Sequence, residues 1–241
     1  MKILMVLTSH DRLGTNGGPT GYWLEEFAAP YFIFLDAEAA VTLASPRGGE
    51  PPIDPRSDGP EAQSKAVQRL KADPKALAVL GATHPLRDIS AADFDAVFYP
   101  GGHGPLFDLV DSTASIELIE TMLAAGKPVA AVCHAPGVLK NVKTPEGKPL
   151  IEGLTVTGFS NTEEETTGLK DFVPFLVEDM LTEAGGTYTK AADGESHVVS
   201  DGALITGQNP ASSEAAAKLL LEKLNFFSAK GFVSSVPWHA V

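Results

Sequence analysis

Cys133 is the one cysteine of the 241-residue chain, and it falls where a short apolar run ends and a new element begins. Val129-Ala130-Ala131-Val132 reads as a buried strand, Cys133 as a sharp turn, and the residues from His134 to Leu139 as the opening of a helix. A thiol on such a turn points out of the sheet edge and borrows the positive end of the following helix, which predicts a lowered pKa and a reactive thiolate. His134 adds an imidazole able to shuttle protons and a backbone N–H beside the sulfur. A solitary cysteine is more often a small buried hydrophobe. Three features favour a nucleophile here: the strand–turn–helix setting, a second Gly-rich turn at Gly101-Gly102-His103-Gly104, and an acidic residue early in the chain.

These turns meet only if a sheet brings them to one edge. Strand-like runs alternate with helical patterns, the signature of a parallel sheet covered on both faces. Strands are expected at Lys2–Leu7, Ala40–Ala44, Ala96–Tyr99, Val129–Val132, Leu154–Gly158 and Ala203–Gly207. Helices are expected at Gly21–Ala29, Ser115–Ala125 (stopped by Gly126), Phe175–Ala184 and Ser213–Leu224. A direct crossover between parallel strands needs only about a dozen residues. The Pro- and Gly-rich stretch from Pro46 to Ser90, with one helical run at Glu61–Lys71, therefore reads as an insertion of about 46–90, a small cap beside the site. From 225 to 241 the apolar residues Phe226, Phe227, Phe232, Val233, Val236 and Trp238 follow no clear period and read as an irregular tail.

Composition narrows the classes. Length suits one domain, residues 1–241, with its insertion. A net charge of −13, from 18 basic and 31 acidic residues, disfavours nucleic acid and anionic membrane as partners. One cysteine rules out an internal disulfide, and Met1–Thr8 reads as a strand rather than a signal peptide, so a soluble cytoplasmic protein is expected. Gly14–Gly18 lacks the Gly-Lys-Ser/Thr ending of a phosphate loop, and no helical two-histidine spacing points to zinc. His10 and His84 read as structural or exposed.

Three segments together resemble a known group: Pro100-Gly101-Gly102-His103-Gly104-Pro105, Ala131-Val132-Cys133-His134-Ala135-Pro136 and Thr20-Gly21-Tyr22-Trp23-Leu24-Glu25-Glu26. They look like the ThiJ/PfpI superfamily, in its heat-shock chaperone/glyoxalase III branch. The resemblance implies the class I glutamine amidotransferase-like fold, a flavodoxin-like α/β/α sandwich with a mostly parallel sheet and a small inserted cap region. It makes Cys133 the nucleophile, His134 the catalytic histidine and Glu26 the acid beside the thiol, preferred over Glu25 because Pro30 follows at the family's spacing. It places an orienting acid after Val156-Thr157-Gly158-Phe159, where Glu164 has the best spacing and Glu163 a close second. Gly102 and His134 would supply oxyanion-hole N–H groups; His103, Trp23 and Asp11 are placed at the pocket.

The chemistry so implied is thiolate addition to a small carbonyl substrate. Methylglyoxal would go through a hemithioacetal to D-lactate, with no metal or organic cofactor, in a homodimer. Each oxyanion donor is worth about 3–4 kcal/mol in such chemistry. Two other functions suit the same site: a redox-sensing stress protein or holdase chaperone with an oxidisable Cys133, and an amidase or protease. Glutamine amidotransfer is disfavoured, because His197 stands near the right region without the His-x-Glu motif.

Overall fold

The computed structural model describes residues 1–15 and 17–229. Its main sheet is built from β1 (Lys2–Val6), β2 (Ala40–Ser45), β3 (His84–Pro85), β4 (Ala96–Tyr99), β5 (Val129–Val132), β8 (Val198–Asp201) and β9 (Leu204–Gly207). The order is β3-β2-β1-β4-β5-β9-β8, parallel throughout except for the β8–β9 hairpin at one edge. Register runs Ile3↔Val41 and Ile3↔Ala96, then Val97↔Val129 and Val129↔Leu204. The carboxyl ends of β4 and β5 lie side by side, which brings Gly101–Gly104 next to Cys133.

Side chains alternate across the sheet. On one face Leu4, Val6, Val97, Tyr99, Val129 and Ala131 pack under α4 (Thr113–Ala124) and α6 (Val177–Glu183). On the other, Ile3, Met5, Phe98, Ala130 and Val132 meet α1 (Leu24–Asp36), α2 (Lys65–Lys71) and α7 (Ser213–Ala229). Strands buried on both faces are near-continuously apolar, as parallel sheets require. This is the expected flavodoxin-like sandwich.

Several boundaries differ from expectation, each for a physical reason. α1 starts at Leu24 and runs through Pro30 to Asp36, because Tyr31, Phe32 and Phe34 continue its buried face beyond the proline. Leu154–Gly158 contributes only β6 (Thr155–Val156), which pairs with β7 (Thr187–Tyr188) in a separate two-stranded ribbon. The Thr155 and Thr157 N–H groups donate to Asp201 Oδ2 and Thr206 Oγ1 instead of to a main-sheet ladder. The acidic run after Ser160 forms α5 (Asn161–Thr167), capped by the Ser160 hydroxyl and stopped at Gly168 in the left-handed region, φ +69°. The segment 46–90 holds three 3-10 turns, α2, α3 (Pro74–Leu80) and the edge strand β3; α2 starts at Lys65, capped by Ser64, rather than at Glu61. The expected irregular tail begins inside α7, and from residue 230 onward it lies outside the described residues.

Candidate active site

Cys133 closes β5 with φ +62°, one of two non-glycine residues in the left-handed region among the described residues. A side chain there is strained. The turn is pinned on both sides: Cys133 N–H donates to Gly207 O at 2.9 Å, and Phe159 N–H donates to Cys133 O at 2.8 Å. The parallel turn after β4 presses against it. Gly101 N–H donates to Glu26 Oε2 at 2.7 Å, and a Cβ on Gly101 would collide with that oxygen, with Val132 O and with Cys133 Cβ. Gly102 takes φ +86°, and its Cβ would strike the Gly21 carbonyl. Glycines here let a carboxyl-bearing helix, a Gly-rich turn and the thiol occupy one small volume.

Glu26 is fully buried beside the sulfur. Its Oε1 has no close hydrogen-bond partner. Burial pushes the carboxyl up to about 8; the neighbouring thiol and the Gly101 N–H offset this only in part. The Cys133 thiol is itself pushed well above its ordinary value, first by burial and then by the Glu26 charge, with the Gly102 N–H pulling the other way. The expected lowering is thus reversed. The element after the turn is a short 3-10 helix, Ala135–Asn141, not an α-helix, so little helix-end field reaches a sulfur that is 3 % exposed. Below about pH 8 Glu26 is neutral, its repulsion disappears, and its O–H becomes a donor for a nascent thiolate.

On the opposite side His134 Nδ1 lies 3.3 Å from Cys133 Sγ, and His134 Nε2 lies 2.6 Å from Glu164 Oε2. Glu164 Oε1 also accepts from His103 Nε2 and from Thr167 Oγ1, each at 2.9 Å. Burial alone would raise the Glu164 pKa, but His134 and then His103 outweigh it and hold the carboxyl well below the usual carboxylate range. An ionised carboxylate only accepts, so His134 Nε2 carries a proton, and it is the Nδ1 side of the ring that faces the thiol. Glu163 goes elsewhere: its two oxygens take Ser160, Gln208, Asn209 and Gly194 donors. The two adjacent glutamates are thereby separated, Glu164 onto His134 and Glu163 into a cap. His103, His134 and Glu164 also bring three potential ligand atoms within 4.8 Å of one another, but those atoms are engaged with each other.

A cavity of about 220 Å³ opens onto the thiol, lined by the expected Trp23, Gly102, His103, Cys133 and His134. Asp11 does not join them. The loop folds back through Arg12–Pro19 pairing, and Asp11 is left exposed, its carbonyl accepting from Thr20 N–H. Four lining residues were not anticipated: Arg56, Phe159, Thr167 and Pro210. Phe159 packs on the His134 ring at 4.2 Å between centroids. Arg56 comes from the inserted segment, so the segment does border the site. Its one sequence signal is Asp54-Pro55-Arg56, an acid placed to pair with its own neighbour.

A nucleophile-type turn at the carboxyl edge of a doubly covered parallel sheet, with histidine and acids converging on it, defines the class: a cysteine–histidine–glutamate site on a flavodoxin-like fold. The DJ-1/PfpI family pattern matches residues 20–223, and the chain belongs to that family. Among curated relatives, a glutathione-independent glyoxalase of Saccharomyces cerevisiae is 30% identical over 92% of this chain and 98% of its own length. Glyoxalase 3 of Candida albicans is 27% identical over 90% and 96%. Among solved structures, the Rapid Encystment Protein of Francisella tularensis superposes with a TM-score of 0.88 at 37% identity, covering 92% of this chain and 98% of the other. The Candida albicans glyoxalase III structure gives 0.85 at 27%, covering 92% and 96%.

Proposed function

We propose that the chain is a cysteine-dependent, glutathione-independent glyoxalase that converts small 2-oxoaldehydes, methylglyoxal above all, to 2-hydroxy acids, D-lactate in that case. One observation carries this reading: the thiol stands between a carboxyl pushed up to about 8 and a histidine whose far nitrogen is held by a carboxylate. The names of the two fungal relatives support it. His134 Nδ1 takes the thiol proton as Sγ bonds to the aldehyde carbon, and the carbonyl electron pair moves onto oxygen. The Gly102 and His134 N–H groups stabilise that oxyanion until His134 returns the proton, giving a hemithioacetal. His134 then removes the hydrogen of the same carbon as a proton while neutral Glu26 protonates the adjacent ketone oxygen, which yields an enediol. His134 delivers its proton to the former ketone carbon, and Glu26 recovers one from the first hydroxyl, leaving a thioester. Water cleaves the thioester to the hydroxy acid and the free thiol. The oxidation of one carbon is matched by the reduction of its neighbour, so the sequence needs no cofactor beyond water.

A homodimer and a cytoplasmic location belong to the same reading; light scattering of the purified protein tests the first. The decisive assay follows methylglyoxal loss and D-lactate formation without glutathione, in the wild type and in Cys133→Ser. Turnover is expected in the former and background in the latter. A fully reduced wild-type protein that leaves methylglyoxal untouched would sink the proposal.

A further inference from the structure

Arg56 is anchored as few surface arginines are. Asp54, fully buried, accepts from Thr20 Oγ1 at 2.9 Å and from Arg56 N–H at 3.0 Å. It also grips the guanidinium at Nε (2.9 Å) and Nη2 (2.5 Å). The same Nη2 lies 3.1 Å from His103 Nδ1. A guanidinium has donors only, so Nδ1 must be the acceptor of this bond, and the ring carries its one proton on Nε2. That proton goes to Glu164 Oε1 at 2.9 Å, and the other Glu164 oxygen holds His134 Nε2 at 2.6 Å. A continuous chain thus leads from a buried aspartate in the inserted segment, through Arg56, His103, Glu164 and His134, to the Cys133 sulfur.

We propose that Arg56 is a positioning residue of this site: held by Asp54, it fixes His103 in the neutral Nε2–H tautomer, and so ties the hold of Glu164 on His134 to the docking of the inserted segment. The groups that face His103 are Arg56 from the segment, His134 from the β5 turn and Glu164 from α5. Burial, His134 and Arg56 all disfavour a second proton on the ring and Glu164 favours one, which leaves the ring pushed down to about 4. An imidazolium here would set Nδ1–H against an arginine N–H, donor against donor and cation against cation. With Arg56 removed, Nδ1 is free and the pull of Glu164 remains, so the ring protonates at higher pH. A charged His103 then competes with His134 for Glu164, and His134 becomes a poorer acceptor of the thiol proton. The effect falls on kcat rather than KM, since Arg56 acts through His103.

This inference rests on the reading of Cys133, His134 and Glu164 as the reacting chain, but not on the identity of the substrate. The test is long-range 1H–15N NMR of histidine-labelled protein across about pH 5 to 8, the range in which free histidine titrates. Wild type, Arg56→Met and Arg56→Lys are compared, with methylglyoxal kinetics and the rate of Cys133 alkylation by iodoacetamide measured in parallel. In the wild type His103 should show the Nε2–H pattern throughout. In Arg56→Met, with Nδ1 freed of its donor, the Nε2–H pattern should give way to mixed tautomers, and the onset of ring protonation should move up toward the acid end of the window. There kcat and the alkylation rate should fall by up to about tenfold, and KM should stay within about twofold. Arg56→Lys, which keeps a cationic donor beside Asp54, should restore the wild-type tautomer at least in part. It also serves if the methionine variant does not fold, because a lysine variant folded but with His103 titrating as a free histidine would contradict the proposal. An unchanged His103 spectrum in Arg56→Met overturns it, and an unchanged spectrum with a loss confined to KM would make Arg56 a substrate contact instead. A shifted His103 in a protein inactive on methylglyoxal would leave this inference standing while removing the glyoxalase reading.

Discussion

Two glutamates flank Cys133 from opposite sides, Glu26 on α1 and Glu164 on α5, and both are almost completely buried, at 0% and 3% exposure. They nonetheless end in opposite states. Glu26 receives one backbone N–H, from Gly101, and has an oxygen without a close partner; its carboxyl is pushed up to about 8. Glu164 receives His103, His134 and Thr167, and is held well below the ordinary carboxylate range. Depth of burial is therefore not what separates them. Burial pushes both carboxyls up, and the donors arranged around each one decide whether it yields. In the proposed reaction that division gives one side of the thiol an acid that can lose a proton and the other a fixed charge that orients a base.

The most severe way to break the contrast is Glu164→Gln. The amide offers an acceptor to one histidine but sets N–H against the other, so His134 is driven toward the tautomer whose proton faces the sulfur and no longer serves as a base. In the proposed glyoxalase reaction kcat should fall by about 10³–10⁴-fold, the scale seen when a Ser-His-Asp triad loses its acid, while circular dichroism stays native. A loss of less than tenfold would show that His134 needs no such partner.

Glu26→Gln attacks the other side. It keeps the neutral shape and the acceptor for Gly101 N–H but removes the transferable proton, so kcat should fall about 10²–10³-fold with KM little changed. Wild-type rate should also decline as pH rises past about 8, where Glu26 loses the proton it must supply and its charge opposes a thiolate. The residual activity of Glu26→Gln should lack that alkaline limb. A limb that persists unchanged in the variant would assign it to another group.

What the sequence conveyed follows the same division between local and long-range effects. β4 and β5 coincide with the expected Ala96–Tyr99 and Val129–Val132, because each is a short apolar run bounded by turn-forming residues. The motifs around Gly102, Cys133 and Glu26 were legible for a related reason: close packing of turn and acid admits little but glycine, as the Gly101 and Gly102 surroundings show. Arg56 was not legible, since nothing near it in the chain announces that the inserted segment folds back onto His103. The thiol shifts against the helix-end expectation because the chain forms a 3-10 turn there and buries the sulfur. Asp11 stays out of the pocket because its loop folds back on itself, with Arg12 paired to Pro19 and Asp11 left exposed, a placement its residue type does not announce.

The smallest expected effects are on stability, and they test the two-acid contrast without any substrate. A carboxyl whose folded pKa is raised contributes stability that is fully present below its unfolded value and lost as pH climbs through the folded one. For Glu26 the window runs from 4.5 to about 8, and each tenfold change in proton affinity is worth about 1.4 kcal/mol. Glu26→Gln carries no such contribution, so its melting temperature relative to wild type should rise across that window and level off above it. Glu164 has the opposite sign. Its stabilisation is present above 4.5 and lost as pH falls below that value, so Glu164→Gln should melt lower than wild type at neutral pH and the gap should narrow in acid. Thermal melts of the three proteins from about pH 2 to 9 should therefore give two difference curves, the Glu26→Gln gain growing with alkalinity from 4.5 to about 8 and the Glu164→Gln deficit shrinking as pH falls below 4.5. Curves that are flat, or that share one direction, would mean that the two carboxyls do not occupy opposite protonation states, and the division of labour around the thiol would have to be abandoned.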